Sequence, residues 1–140
     1  MYILKTDAHF DSAHFLSGYE GKCSNIHGHR WSVEIEVGSE ALQAEGCNRG
    51  MIVDFSMLKK DLKQIADSFD HCLIIETGSL KPKTMEALQE ENFKIVEVDF
   101  RPTAENLSKY FFDKITDKGY NVVKATVYET PKNCATYCIG

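Results

Sequence analysis

Two long alternations limit what this chain can become. From Tyr2 to His14 the even positions read Tyr2, Leu4, Thr6, Ala8, Phe10, Ser12 and His14, while the odd ones include Lys5, Asp7, His9 and Asp11. A period of two is the pattern of a strand with one face buried, so the even row is predicted to point inward. The pattern returns after a glycine-bearing loop: His27, His29, Trp31, Val33, Ile35 and Val37 share a row opposite Arg30, Ser32, Glu34 and Glu36. Such strands need a covering layer on their apolar side. Three imidazoles, those of His14, His27 and His29, are predicted to lie on that side.

The cover is legible further on. Leu58, Leu62, Ile65 and Phe69 recur at helical spacing, with Lys59, Lys60, Asp61, Lys63 and Asp67 facing away. A second helix opens at Arg101-Pro102-Thr103, with Thr103 as its N-cap, buries Leu107, Tyr110, Phe111 and Ile115, and stops at Gly119. Between them, Cys72–Ile75 is predicted as a short buried strand, the region from Thr84 to Glu91 as a short helix, and Ile95–Phe100 as another strand. Val123, Ala125, Val127 and Glu129 then share one face of a strand, so an acid continues an apolar row. Pro131-Lys132-Asn133 turns the chain into a last strand over Cys134–Ile139.

The 140 residues are the size of one domain, residues 1–140, able to bury a core without disulfides. Net charge is −5 with the basic residues scattered, which points away from nucleic acid and anionic membrane and toward a small-molecule partner. No run is apolar enough to span a bilayer, the first residues lack the grammar of a secretion signal, and five cysteines is an odd count. A cytosolic, reducing location is therefore expected.

The chemistry concentrates in Cys23-x3-His27-Gly28-His29. On an extended chain, side chains two apart leave the same face, so His27 and His29 can grip one ion, with His14 as a third ligand from the neighbouring strand. Three imidazoles suit a zinc ion that keeps an open position. Singly, each would more often be a core histidine bonded to backbone. Cys23 can be a fourth, closing ligand of a structural site, or a free thiolate made more acidic by the nearby cation. Asp70-His71 can be an oriented proton-transfer pair, a weak signal as an isolated dipeptide. Glu129, a carboxylate on an inward row, needs a partner: a structural cation, or a ligand presenting two neighbouring N–H groups.

Taken in order, Phe10-Asp11-Ser12-Ala13-His14, Cys23-x3-His27-Gly28-His29, Asp54-Phe55-x2-Leu58-Lys59, Asp70-His71, Pro102-Thr103-Ala104-Glu105-Asn106 and Tyr128-Glu129-Thr130 resemble the 6-pyruvoyltetrahydropterin synthase superfamily over nearly the whole chain. Within it, the three-residue gap between Cys23 and His27 is similar to the bacterial 6-carboxy-5,6,7,8-tetrahydropterin-forming branch. The resemblance implies an α+β T-fold (tunnelling fold): a four-stranded antiparallel sheet with two long helices on one face, its barrel completed by oligomerisation. It further implies a homohexamer, a dimer of trimers, with sites at subunit interfaces.

The resemblance also implies roles. His14, His27 and His29 would hold Zn2+, Cys23 would be the proton-abstracting base, and Asp70 with His71 would complete a relay. Glu129 would bind the pterin's 2-amino and ring N–H edge and join the relay, with Thr103 nearby. The implied substrate is 7,8-dihydroneopterin triphosphate, cleaved to a 6-carboxy product with release of acetaldehyde and triphosphate. The alternatives are 6-pyruvoyl formation on the same substrate, or a structural zinc or pterin-binding domain.

Overall fold

The computed structural model describes residues 1–140. Both alternating runs are strands, β1 over Tyr2–His14 and β2 over His27–Ser39. They pair antiparallel in a register that sets Phe10 across from Trp31 and His14 across from His27. Antiparallel partners directly opposite share a face, so this register keeps both inward rows on one side. Ala8, Phe10, Ser12 and His14 are buried from β1, and Trp31, Val33, Ile35 and Val37 from β2. Tyr2, expected on the same row, is 53% exposed at the outer end of its strand.

The antiparallel core continues through β5, Val122–Thr130, beside β2, and β6, Asn133–Cys138, beside β5. These four strands are the expected antiparallel sheet, but the sheet is larger. Two short strands, β3 over Cys72–Glu76 and β4 over Ile95–Val98, extend it in parallel beyond β1, giving the order β4-β3-β1-β2-β5-β6. The reason lies in the polar stretch joining them. It folds into helix α2, Pro82–Glu90, and a strand–helix–strand crossover returns the chain parallel rather than antiparallel. The expected strand to Phe100 ends at Val98, two residues before Phe100.

Helices α1, Phe55–Ser68, and α3, Ala104–Asp117, cover the inward rows. Leu58, Leu62 and Ala66 of α1 and Leu107, Phe111 and Ile115 of α3 join one core with Phe10, Trp31 and Ile35. Each starts on a side-chain cap: an Asp54 carboxylate oxygen accepts from the Ser56 N–H at 2.8 Å, and the Thr103 hydroxyl accepts from the Asn106 N–H at 3.2 Å. The opposite face of the sheet is polar, with Lys5–Glu34 and Lys124–Glu36 pairs, each at 3.7 Å, across neighbouring strands.

One irregularity corrects the predicted face of β5. The pairing with β2 shifts between Glu36 and Val37, so Val37 sits opposite Val122, and Val122 is the buried residue where Val123 was expected. A bulge of this kind re-aims the residues before it. Beyond it Ala125 and Val127 keep the inward row, which Glu129 extends.

Two outcomes follow from this packing. Thr103→Ala removes the α3 cap and should cost about 1 kcal/mol of stability, read from urea denaturation; an unchanged midpoint would contradict the cap. The Cys72 thiol is buried and donates to the Phe69 carbonyl at 3.0 Å, and burial pushes its pKa up to about 11. At pH 8 it stays protonated, so an alkylating reagent should modify the exposed Cys47, Cys134 and Cys138 and spare Cys72 until urea unfolds the chain, as scored by peptide mass spectrometry.

Candidate metal centre

The β1–β2 register brings three imidazoles together at one end of the core. The ring centroids of His14 and His27 are 4.5 Å apart, those of His14 and His29 5.2 Å, and those of His27 and His29 5.0 Å. Trp31, next inward on the same row, backs the cluster edge-on, 4.9 Å from His14 and 5.3 Å from His29. The indole is held in turn by its N–H, which donates to the Ser12 carbonyl at 3.3 Å. Packing against a fully buried tryptophan leaves the rings little freedom.

Backbone carbonyls fix which nitrogen faces the centre. Nδ1 of His14 lies 2.7 Å from the Pro102 carbonyl, and Nδ1 of His27 lies 2.7 Å from the Asn25 carbonyl. A carbonyl only accepts, so both Nδ1 atoms carry the proton and both Nε2 atoms present a lone pair. Burial pushes the pKa values of His14 and His29 below the ordinary imidazole range, which favours the neutral, ligating form. The Nε2 atoms of His14, His27 and His29 are all buried without a hydrogen-bond partner. Lone pairs on neutral imidazoles facing one another have no use for each other. A cation satisfies them together.

Glu129, at the end of β5, completes the group. One of its carboxylate oxygens lies 2.8 Å from His29 Nε2 and 3.4 Å from His14 Nε2. That short contact pulls the His29 pKa upward, against the larger lowering effect of burial. One ligand atom from each of His14, His27, His29 and Glu129 lies within 4.8 Å of the others. The donor set, three nitrogens and one carboxylate oxygen, fits zinc. The acid on an inward row was visible in the sequence as needing a partner. That its neighbours are the imidazoles themselves was not, because alternation gives a face and not a distance.

Cys23 and the Asp70–His71 pair stand outside this cluster. Cys23 lies in a 3-10 turn, Lys22–Ser24, half-buried. Its carbonyl accepts from the Leu16 N–H at 2.9 Å, which closes the loop after β1. Arg101 donates to the Ser17 carbonyl at 2.6 Å and ties that loop to the segment before α3.

Asp70 and His71 do form a pair, through a backbone device the sequence did not reveal. His71 has φ +54°, in the left-handed region, so the two side chains are not splayed as on a strand, and His71 Nδ1 donates to an Asp70 oxygen at 2.9 Å. The other Asp70 oxygen accepts from the Asp11 N–H at 2.8 Å. That N–H, then the His71 contact, holds the Asp70 carboxyl below the usual carboxylate range. His71 is 79% exposed, on a groove of about 420 Å³ that includes Asp11, Phe93 and Lys94. Thr103 uses its hydroxyl oxygen as the α3 cap, while the carbonyl of the preceding Pro102 orients His14.

Known proteins resemble the chain over nearly its whole length. The family described as 6-pyruvoyl tetrahydropterin synthase matches residues 3–139. A protein of Haemophilus influenzae named 6-carboxy-5,6,7,8-tetrahydropterin synthase is 33% identical over 140 residues, covering 98% of this chain and 99% of its own. Among solved structures, an uncharacterized protein from Wolinella succinogenes shares the fold with a TM-score of 0.83 at 22% identity, covering 99% of this chain and 98% of its own. The 6-pyruvoyl tetrahydropterin synthase of Caenorhabditis elegans aligns with a TM-score of 0.68 at 26% identity, covering 99% and 96%. A match of this extent places the protein in the 6-pyruvoyl tetrahydropterin synthase family.

Proposed function

We propose that the protein is a zinc-dependent 6-carboxy-5,6,7,8-tetrahydropterin synthase. It converts 7,8-dihydroneopterin triphosphate, with water, to 6-carboxytetrahydropterin, acetaldehyde and triphosphate, a step toward queuosine and related 7-deazaguanines. The observation that carries this reading is the convergence of three buried, unpartnered Nε2 atoms in a chain whose curated relatives bear that name.

His14, His27 and His29 hold the metal, with Pro102 and Asn25 carbonyls fixing the ligating tautomer of the first two. When bound, zinc supplies a Lewis acid that makes the substrate's side-chain hydroxyl and adjacent C–H protons easier to remove. Cys23 accepts a proton as its thiolate, a role open to it because it is outside the ligand cluster. Asp70, kept ionised by the Asp11 N–H, anchors His71 Nδ1 and leaves the second ring nitrogen free to carry a proton. Glu129 pairs with the N–H edge of the pterin ring, and Thr103 lies beside it.

The high exposure of His71 and the unpaired backbone along β4 and β6 at the sheet edges support association of copies, which we read as a hexamer with sites at interfaces. Residues 1–140 act as one unit within it.

The family description and the nematode structure carry the name of the 6-pyruvoyl activity, which keeps the side-chain carbons. Incubating the zinc-loaded protein with 7,8-dihydroneopterin triphosphate separates the two. The expected result is a 6-carboxypterin mass with stoichiometric acetaldehyde; a pyruvoyl mass without acetaldehyde would overturn the proposal. Cys23→Ala should retain about one zinc per chain while turnover falls roughly 100-fold or more, the usual contribution of a general base. Loss of zinc from that variant would point to a closed structural site. His14→Ala should instead lose the metal, measured by elemental analysis after dialysis.

A further inference from the structure

Of the 16 lysine and arginine side chains, only that of Arg101 is not exposed. It makes no ion pair. Charge pairing therefore does not explain why a cation is drawn partly out of water here. Its partner is neutral: the guanidinium donates to the Ser17 carbonyl at 2.6 Å. The backbone behind it is fixed, since the Arg101 carbonyl accepts from the Thr103 N–H at 2.8 Å and from the Asn106 side-chain amide at 2.9 Å. Arg101 thus reaches from the anchored start of α3 to the loop between β1 and β2.

That loop carries Cys23 and is otherwise self-contained. The Leu16 N–H donates to the Cys23 carbonyl at 2.9 Å and pinches the loop's ends together, while the Tyr19, Ser24 and Asn25 N–H groups donate to the carbonyls of Leu16, Gly21 and Lys22. Gly18, at φ +79°, makes the turn beside Arg101, where a Cβ would stand 3.5 Å from the guanidinium. Residues 18–22 and 24–26 are exposed, so little apolar packing holds the outer part of the loop. The Arg101–Ser17 bond is the one hydrogen bond that ties residues 16–24 to anything outside the loop.

We infer that Arg101 is a positioning residue for Cys23: its guanidinium holds the loop so that the thiol stays where proton transfer needs it. The inference rests on the proton-accepting role proposed for Cys23 above. A hydrogen bond from a charged donor is among the stronger of its kind, and a misplacement of about 1 Å in a reacting group can lower a rate roughly 100-fold. The metal does not share this dependence. His14, His27 and His29 sit on β1 and β2 themselves, so a released loop leaves them in place.

Arg101→Ala in the zinc-loaded protein should keep its zinc, lower kcat on 7,8-dihydroneopterin triphosphate about 10- to 100-fold and leave KM within about twofold. Amide exchange should rise in the peptide spanning residues 15–26 and not elsewhere in β1 or β2, and iodoacetamide should modify Cys23 faster. Millimolar guanidinium should restore part of the variant's rate, whereas a variant that was merely less stable would be harmed by that ion. Arg101→Lys, which can still donate to one carbonyl, should fall between wild type and Arg101→Ala, and carries the test if the alanine variant does not fold. A raised KM with kcat and exchange unchanged would make the guanidinium a contact for the triphosphate and overturn the tether. Loss of zinc would also overturn it, by placing the effect at His14 through Pro102, as would unchanged exchange and alkylation. Absence of turnover in the wild type would instead overturn the functional reading and the catalytic part of Cys23 with it, while exchange in residues 15–26 still shows whether Arg101 holds the loop.

Discussion

Three neutral imidazoles sharing a small buried space are unfavourable until something positive sits between them. Each unpartnered nitrogen leaves an acceptor dry, a cost of about 1–3 kcal/mol in a folded interior, and His14, His27 and His29 present three such atoms. A bound divalent cation reverses the balance, since three- and four-ligand zinc sites contribute on the order of 10 kcal/mol or more of binding free energy. The end of the sheet where they meet is therefore suited to holding a cation, and the surrounding contacts fix the rings around that space.

Those contacts come from across the chain. The strand register puts His14 opposite His27, Trp31 supports the rings from within the core, and carbonyls of Asn25 and Pro102 fix the tautomer. The segment Arg101–Thr103 links three tasks in consecutive residues. Arg101 ties down the loop that bears Cys23, the Pro102 carbonyl orients His14, and the Thr103 hydroxyl starts α3. Packing of α3 on the sheet and aim of a candidate metal ligand, His14, are thus coupled through a short piece of backbone. The Asp70–His71 pair is built separately, on a clamp to Asp11: its backbone N–H goes to Asp70, and its carbonyl accepts from the His71 N–H at 2.6 Å.

Much of this was readable before any coordinates. Alternation placed His14, His27 and His29 on the buried rows, because a period of two assigns faces without knowledge of partners. Helical spacing located α1 and α3, whose Leu62 and Phe111 lie in the core as expected. What remained hidden depends on contacts between distant segments. The parallel strands β3 and β4 follow from the crossover through α2, in a polar stretch with little periodicity to read. Val122 replaced Val123 on the inward face because a bulge against β2 is a property of the pair of strands, not of either one. The left-handed backbone at His71 runs against the preference of a non-glycine residue, so no local rule points to it. Glu129 was recognisable as an acid in need of a partner; which partner is a question of distance.

The account stands or falls on the atoms that hold the metal. X-ray absorption at the zinc edge of the substrate-free, zinc-loaded protein reads them directly. It should give a first shell of nitrogen and oxygen at about 2.0 Å with the multiple scattering of three imidazoles, and no sulfur at about 2.3 Å. A sulfur in that shell, or fewer than three imidazoles, would contradict it.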